Sequence, residues 1–208
     1  MSDNPFPAGS NNHAPATPPG NSPRAGFRGA QPLGAGTATT GPTLTGWPRA
    51  ISWSEFTERS SRPSGESEDA QISVQLQGGD VKVIRERGRF RLGDSDFPMV
   101  VDTFASWVVK DKKSAALLAH EQGHFDIAGL CYRDMMTELR KLREKSPARL
   151  GRATKRIMDK HDKRGDALSD LYDSKTESNH GLNQKRQQAW EAQIRASKAS
   201  GKPMTRPD

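Results

Sequence analysis

From Ala115 to about Lys145 the chain contains no proline, and its apolar positions recur every three or four residues. Leu117, His120, His124, Ile127, Cys131, Met135, Leu139 and Leu142 fall on one continuous stripe of a helix with 3.6 residues per turn. Asp111 or Ser114, in the polar run just upstream, supplies the helix N-cap. This spacing predicts a long helix that turns one apolar face to the core.

Within that stripe lies His120-Glu121-Gln122-Gly123-His124, an H-E-x-x-H pattern. At this chain's composition it would arise by accident in about six chains per thousand. On a helix, residues four apart project from the same face about one turn, or 6 Å, apart. Both imidazoles then reach one Zn²⁺ at about 2.0–2.1 Å. Glu121 stands beside that metal, placed to take a proton from an activated water. The competing reading is a pair of core histidines next to a surface glutamate. It leaves two buried imidazoles in need of partners, which a metal supplies.

A catalytic zinc has three protein ligands and an open fourth position. The long metzincin form is excluded, because Ile127 and Leu130 stand where it needs glycine and a third histidine. The third ligand must come from farther along the chain. His13 sits in a Pro/Gly-rich stretch, and His161 lies in a helical pattern where packing is the simpler role. His180 ends the polar, turn-like run Tyr172-Asp173-Ser174-Lys175-Thr176-Glu177-Ser178-Asn179-His180-Gly181, a loop suited to delivering a ligand onto a helix face. His180 is therefore the expected third ligand, with Glu177, Asp173 and His161 as alternatives. Turn and cap chemistry accounts for Thr176 and Asn179. Tyr172 is a candidate oxyanion donor, with core packing as its plainer role. Asp126 lies roughly 200° around the helix from the ligand face, which leaves it to orient a neighbouring group or to sit at the surface.

These residues resemble a bacterial family of predicted zinc-dependent proteases, domain of unknown function family 922. The likeness rests on the block from His120 to Ile127, on Ser106-Trp107, and on Ile51-Ser52-Trp53-Ser54-Glu55-Phe56. Downstream it rests on Tyr172-Asp173, Thr176, His180-Gly181 and Gln187-Gln188-Ala189-Trp190. It covers roughly residues 48–197 and departs from the family pattern in its longer Thr176-to-His180 interval. The resemblance implies a metalloprotease-type domain with His180 as the best-matched third ligand, and it supplies no substrate.

Hydrophobic residues make up only 32% of the chain, and the deficit is local. Residues 1–50 carry nine of the fourteen prolines and eight glycines. Such a composition cannot bury enough surface to offset its ordering entropy. The expected organisation is a disordered linker or tail over 1–46, one domain over 47–197, and a frayed tail over 198–208. No run is apolar and long enough to span a membrane, and the start as written carries no secretory signal pattern. Cys131 is the only cysteine, so no disulfide framework is expected, and it reads as a small core residue.

The net charge is +7, concentrated between Arg133 and Arg164, where twelve Lys/Arg face five Asp/Glu. A solvated helical face explains this, and so does attraction to an anionic partner. No base-reading nucleic-acid module is present. Along the domain, short strands are expected over Ala50–Phe56, Gln71–Leu76, Val81–Arg85, Arg89–Leu92 and Met99–Phe104. A Gly78-Gly79-Asp80 turn would join the second and third of these as a hairpin. A second helix follows Ser146-Pro147, then the ligand loop, then a last helix from Leu182 to Ser197. The fold class is thus α+β: a small antiparallel or mixed sheet followed by three helices, the first carrying H-E-x-x-H.

The expected function is zinc-dependent hydrolysis of a peptide or protein substrate. In that reading His120, His124 and His180 hold the metal and Glu121 is the general base. A second reading is a non-enzymatic module with a structural zinc, whose basic helices bind an anionic partner. A third is an effector-like peptidase with the first 46 residues as a delivery linker. The oligomeric state is not legible in the sequence.

Overall fold

The computed structural model describes residues 41–78 and 81–208, and its architecture is α+β. Eight short strands precede three helices among the described residues. The strands are β1 (Pro42–Thr45), β2 (Thr57–Arg59), β3 (Ala70–Gln71), β4 (Val74–Leu76), β5 (Val83–Glu86), β6 (Arg89–Leu92), β7 (Ser95–Val101) and β8 (Trp107–Val109). The helices are α1 (Ala115–Lys141), α2 (Pro147–Asp173) and α3 (Gln184–Ser200).

In one sheet β7 is flanked by parallel β1 and antiparallel β4. In a second, β8 is flanked by parallel β2 and antiparallel β3. Thus β3 and β4 follow one another against β8 and β7, with a break at Ile72-Ser73. Ser106 bridges the break, its hydroxyl accepting the Ser73 N–H at 2.9 Å.

Several strand expectations are corrected. The 71–76 segment does not pair with the 81–85 segment; β4 pairs with β7 instead. The hairpin is formed by β5 and β6. Its turn residues Arg87 and Gly88 both have positive φ, 48° and 76°, the backbone twist that joins two antiparallel strands tightly. The expected Gly78-Gly79-Asp80 turn falls partly outside the described residues. The Ala50–Phe56 stretch is not a strand but carries a 3-10 turn at Trp53–Glu55, closed by reciprocal bonds between Ser52 and Glu55.

The helices follow the sequence signals closely. Ser114 caps α1 by accepting the Leu117 N–H, and Ser146 caps α2 with Pro147 in its first turn. The core wraps α1 on more than the predicted stripe. Phe125 packs with Met99, Val101 and Val108 from the sheets. Met135, Met136 and Leu139 pack with Val83, Leu92 and Leu150. Ile127 and Leu130 pack with Tyr172, Trp190 and Ile194. Each such side chain, fully buried, stabilises the fold by about 1.5–3 kcal/mol.

Both ends of the domain reach farther than expected. Residues 1–40 lie outside the described residues, but Pro42–Thr45 is a sheet strand rather than part of a tail. Beyond it, the Trp47 indole rests on Gly129 so closely that a Cβ there would lie 2.2 Å from the ring nitrogen. At the other end, the segment expected to fray from Lys198 continues α3 to Ser200. Gly201 caps that helix with φ 68°, and Met204 then buries its side chain beside Trp190 and Ile194. Arg164 donates to the Met204 carbonyl at 2.6 Å, fixing the return. Among the described residues, no helix is long and apolar enough to cross a membrane.

Candidate metal centre

Helix α1 presents His120 and His124 side by side, as the four-residue spacing requires. Their ring centroids are 4.9 Å apart and their Nε2 atoms 3.3 Å apart. The last residue of α2, Asp173, brings Oδ1 to 3.0 Å from His120 Nε2 and 2.9 Å from His124 Nε2. Ligands about 2.0–2.1 Å from a tetrahedral zinc stand about 3.3 Å from one another. The three atoms therefore form one face of such a sphere, with a fourth position beyond it.

His180 joins this cluster from the loop after α2. His120, Asp173 and His180 each offer a ligand atom within 4.8 Å of the others. His180 Nδ1 lies 3.6 Å from Asp173 Oδ1 and 3.1 Å from Glu68 Oε1. The loop holds Asn179 and His180 in the left-handed region, with φ 50° and 53°. Non-glycine residues rarely adopt it without structural enforcement. Enforcement comes from the Ser178 N–H and hydroxyl, which both bond the Tyr172 carbonyl, and from the Asn183 N–H on the Ser178 carbonyl. Gly181 follows with φ 80°, and a Cβ there would lie 3.3 Å from His120 Cβ, so the loop lies flat on the first histidine.

The His120 ring is oriented from behind. Its Nδ1 is 3.3 Å from Gln187 Oε1 on α3. With the proton on Nδ1, Nε2 keeps its lone pair for a metal. The Tyr172 hydroxyl donates to the same Gln187 oxygen at 2.7 Å, and the phenol ring stacks on His120 with centroids 4.7 Å apart. A phenol has one proton to give, and this one is spent on Gln187. Tyr172 is thus placed to hold His120 in position, its hydroxyl also lying 3.4 Å from the His120 carbonyl. Its packing also explains the glycine inside the motif, since a Cβ at Gly123 would lie 2.3 Å from the Tyr172 hydroxyl.

Glu121 is almost wholly buried, and its Oε2 has no hydrogen-bond partner. Burial is the largest influence and pushes its pKa up to about 7, opposed by His120 and reinforced by Asp173 and Glu68. The Ile72 N–H bonds to this carboxyl. That N–H is available because the strand breaks between β3 and β4. Asp173 behaves in the opposite way. Burial pushes its carboxyl up, but hydrogen bonds from His120 and His124 outweigh this and hold it well below the usual range.

The other candidates lie elsewhere. Glu177 is fully buried and bound by Arg186, Arg206 and Trp190, which accounts for it without a metal. His161 pairs with Glu138 at 3.0 Å between α1 and α2. Asp126 accepts from Trp47 Nε1 at 3.0 Å and from Lys198 at 2.6 Å, a buried clamp rather than a surface residue. Cys131 is buried, as expected of a core residue. His13 lies outside the described residues. Sequence reasoning ranked Asp173 behind His180 and Glu177, named Gln187 only as part of the Gln187–Trp190 run without a role, and missed Glu68. Gln187 had a signal, since it stands three residues before Trp190 on the last helix. Glu68 had none, being one acid in a polar loop.

The donor chemistry fits a divalent metal such as zinc: two imidazoles and a carboxylate converge, with a buried carboxylate oxygen left unpartnered beside them. Fold and cluster together define the class: a small α+β domain with a His/Asp/His group able to hold a metal ion. Residues 101–181 match the model of a family described as "Bacterial protein of unknown function (DUF922)". That segment includes His120, Glu121, His124, Asp173 and His180, and excludes Glu68. No curated protein and no solved structure matches the chain.

Proposed function

We propose that this protein is a zinc-dependent hydrolase that cleaves peptide bonds. The observation that carries the reading is the convergence of His120 Nε2, His124 Nε2 and Asp173 Oδ1 at 2.9–3.3 Å, beside the unpartnered carboxylate oxygen of Glu121. When bound there, zinc supplies a Lewis acid and lowers the pKa of a water. The residues do the rest. Asp173 and the two histidines hold the ion, with Gln187 and Tyr172 fixing the His120 ring. Glu121 accepts the proton of the attacking water at Oε2 and later returns it to the leaving amine nitrogen. His180, with Nδ1 3.6 Å from Asp173 Oδ1, would lie within reach of the same ion.

The test is a pair of measurements on the full chain. Elemental analysis should find zinc bound, and Glu121→Gln should keep that zinc while losing hydrolysis of an unfolded protein substrate. Hydrolysis that survives this change would refute the mechanism, and a wild type that binds no zinc would refute the whole reading.

A second reading has its own observation. Arg149, Arg152 and Arg156 surround a cavity of about 350 Å³ with Glu144 at the start of α2, and none of the three forms an ion pair with a described residue. Such a surface suits an anionic partner. If this were the main function, salt-sensitive binding would be lost in Arg152→Glu and unaffected by Glu121→Gln.

A further inference from the structure

The centre holds more donors than one zinc requires. One triad is His120 Nε2, His124 Nε2 and Asp173 Oδ1. A second is His180 Nδ1, Glu68 Oε1 and the same Asp173 oxygen, with His180 Nδ1 at 3.1 Å from Glu68 and 3.6 Å from Asp173. The shared atom is Asp173 Oδ1.

The geometry of the second triad is informative. His180 Nδ1 is buried, and it makes a proper hydrogen bond to neither carboxylate despite lying close to both. A cation placed between them would take His180 Nδ1 and the two carboxylate oxygens as ligands. A hydrogen-bonded ion pair would instead align donor and acceptor.

Charge points the same way. Glu68, Glu121 and Asp173 bring three carboxylates together. Among the described residues, no lysine or arginine pairs with any of them. Glu68 and Asp173 keep 28% and 23% of their side-chain surface exposed, and a divalent ion between them supplies the cation that no lysine or arginine provides. Carboxylate and imidazole donors suit zinc or manganese.

We propose that Glu68 is a metal-binding residue: with His180 and Asp173 it forms a second cation position that shares Asp173 Oδ1 with the first, making the centre dinuclear. The inference rests on the zinc reading of the first triad and goes beyond it. Glu68 comes from the loop between β2 and β3, outside the segment that matches the family, so the second position is assembled from the tertiary fold.

The test is zinc stoichiometry on the full chain, by equilibrium dialysis and elemental analysis, with chelator competition for affinity. Circular dichroism would check that each variant is folded. Wild type should bind two zinc ions, one more weakly. Glu68→Gln and His180→Ala should each bind one, with the affinity of the tighter ion unchanged. A single zinc in wild type overturns the dinuclear proposal and leaves the hydrolase reading standing. So does retention of both ions in both variants, or loss of both ions from folded Glu68→Gln. No zinc in wild type overturns both readings together.

Discussion

Glu177 and Glu121 are both buried glutamates in the same small domain, and their surroundings are opposite. Glu177 is held by two arginines. Arg186 donates to one oxygen at 2.6 and 3.0 Å, Trp190 donates to the same oxygen at 2.8 Å, and Arg206 forms an ion pair with the other without an aligned hydrogen bond. Burial pushes its carboxyl up, and these donors outweigh the burial and hold it below its ordinary value. Glu121 has one backbone N–H and a bare oxygen, and its pKa is raised to about 7. Glu177 is balanced by two arginines, whereas among the described residues no lysine or arginine pairs with Glu121. Both glutamates occur in polar contexts in the sequence, and only their neighbours in space separate them.

The contrast can be broken most sharply at Glu177. Glu177→Ala strands two arginines and should destabilise the fold by about 3–5 kcal/mol in urea unfolding. Glu121→Gln, by contrast, should unfold at the wild-type urea concentration or above it, because it removes an incompletely satisfied buried charge. Equal losses in both would erase the distinction. The Glu177 clamp also predicts a pH dependence. Its folded pKa is lowered, so the stability it contributes is complete above the unfolded carboxyl value of about 4.3 and is lost as pH falls through the lower folded value. Acid unfolding followed for wild type and Glu177→Gln should show a shallower slope below pH 4 or so in the variant.

Activity sharpens the same comparison. Glu121→Gln should lower turnover by about 10²–10⁴-fold, the usual contribution of a positioned base. An activity loss from Glu177→Gln under conditions where it is fully folded would instead tie the two acids together.

Gly123→Ala probes the space between motif and Tyr172. The new methyl meets the phenol, so a destabilisation of about 1–3 kcal/mol is expected, with weaker zinc binding as Tyr172 is pushed off His120. Wild-type thermal stability in that variant would show that the ring has room to move.

The smallest effect is expected from Tyr172→Phe. It keeps the stacking and removes one hydrogen bond to Gln187, at a cost of about 1 kcal/mol. Turnover should fall only modestly. A loss of about 10²-fold or more at unchanged zinc content would identify Tyr172 as an oxyanion donor.

Much of this was legible from residue spacing. The helical stripe over Ala115–Lys141, the caps at Ser114 and Ser146, and the pairing of His120 with His124 all depend on neighbours within one or two turns, so local sequence carries them. Strand partners were misread because Gln71–Leu76 alternates equally well against any partner. The positive-φ turn at Arg87-Gly88 and the match to β7 decided the pairing. The tail from Lys198 looked polar and therefore loose, yet one methionine at 204 finds the Trp190 pocket and anchors it.

The sequence alone determined the helix that carries the motif, the spacing of its two histidines and the place of Glu121 beside them, because a helix repeats every few residues whatever surrounds it. The tertiary structure decided that Asp173 reaches both imidazoles, that Glu68 comes to His180 from a loop about a hundred residues earlier, and that Tyr172 and Gln187 aim His120. Those contacts join separate elements, and their distances depend on how α1, α2, α3 and the strand loops pack, which no local pattern encodes.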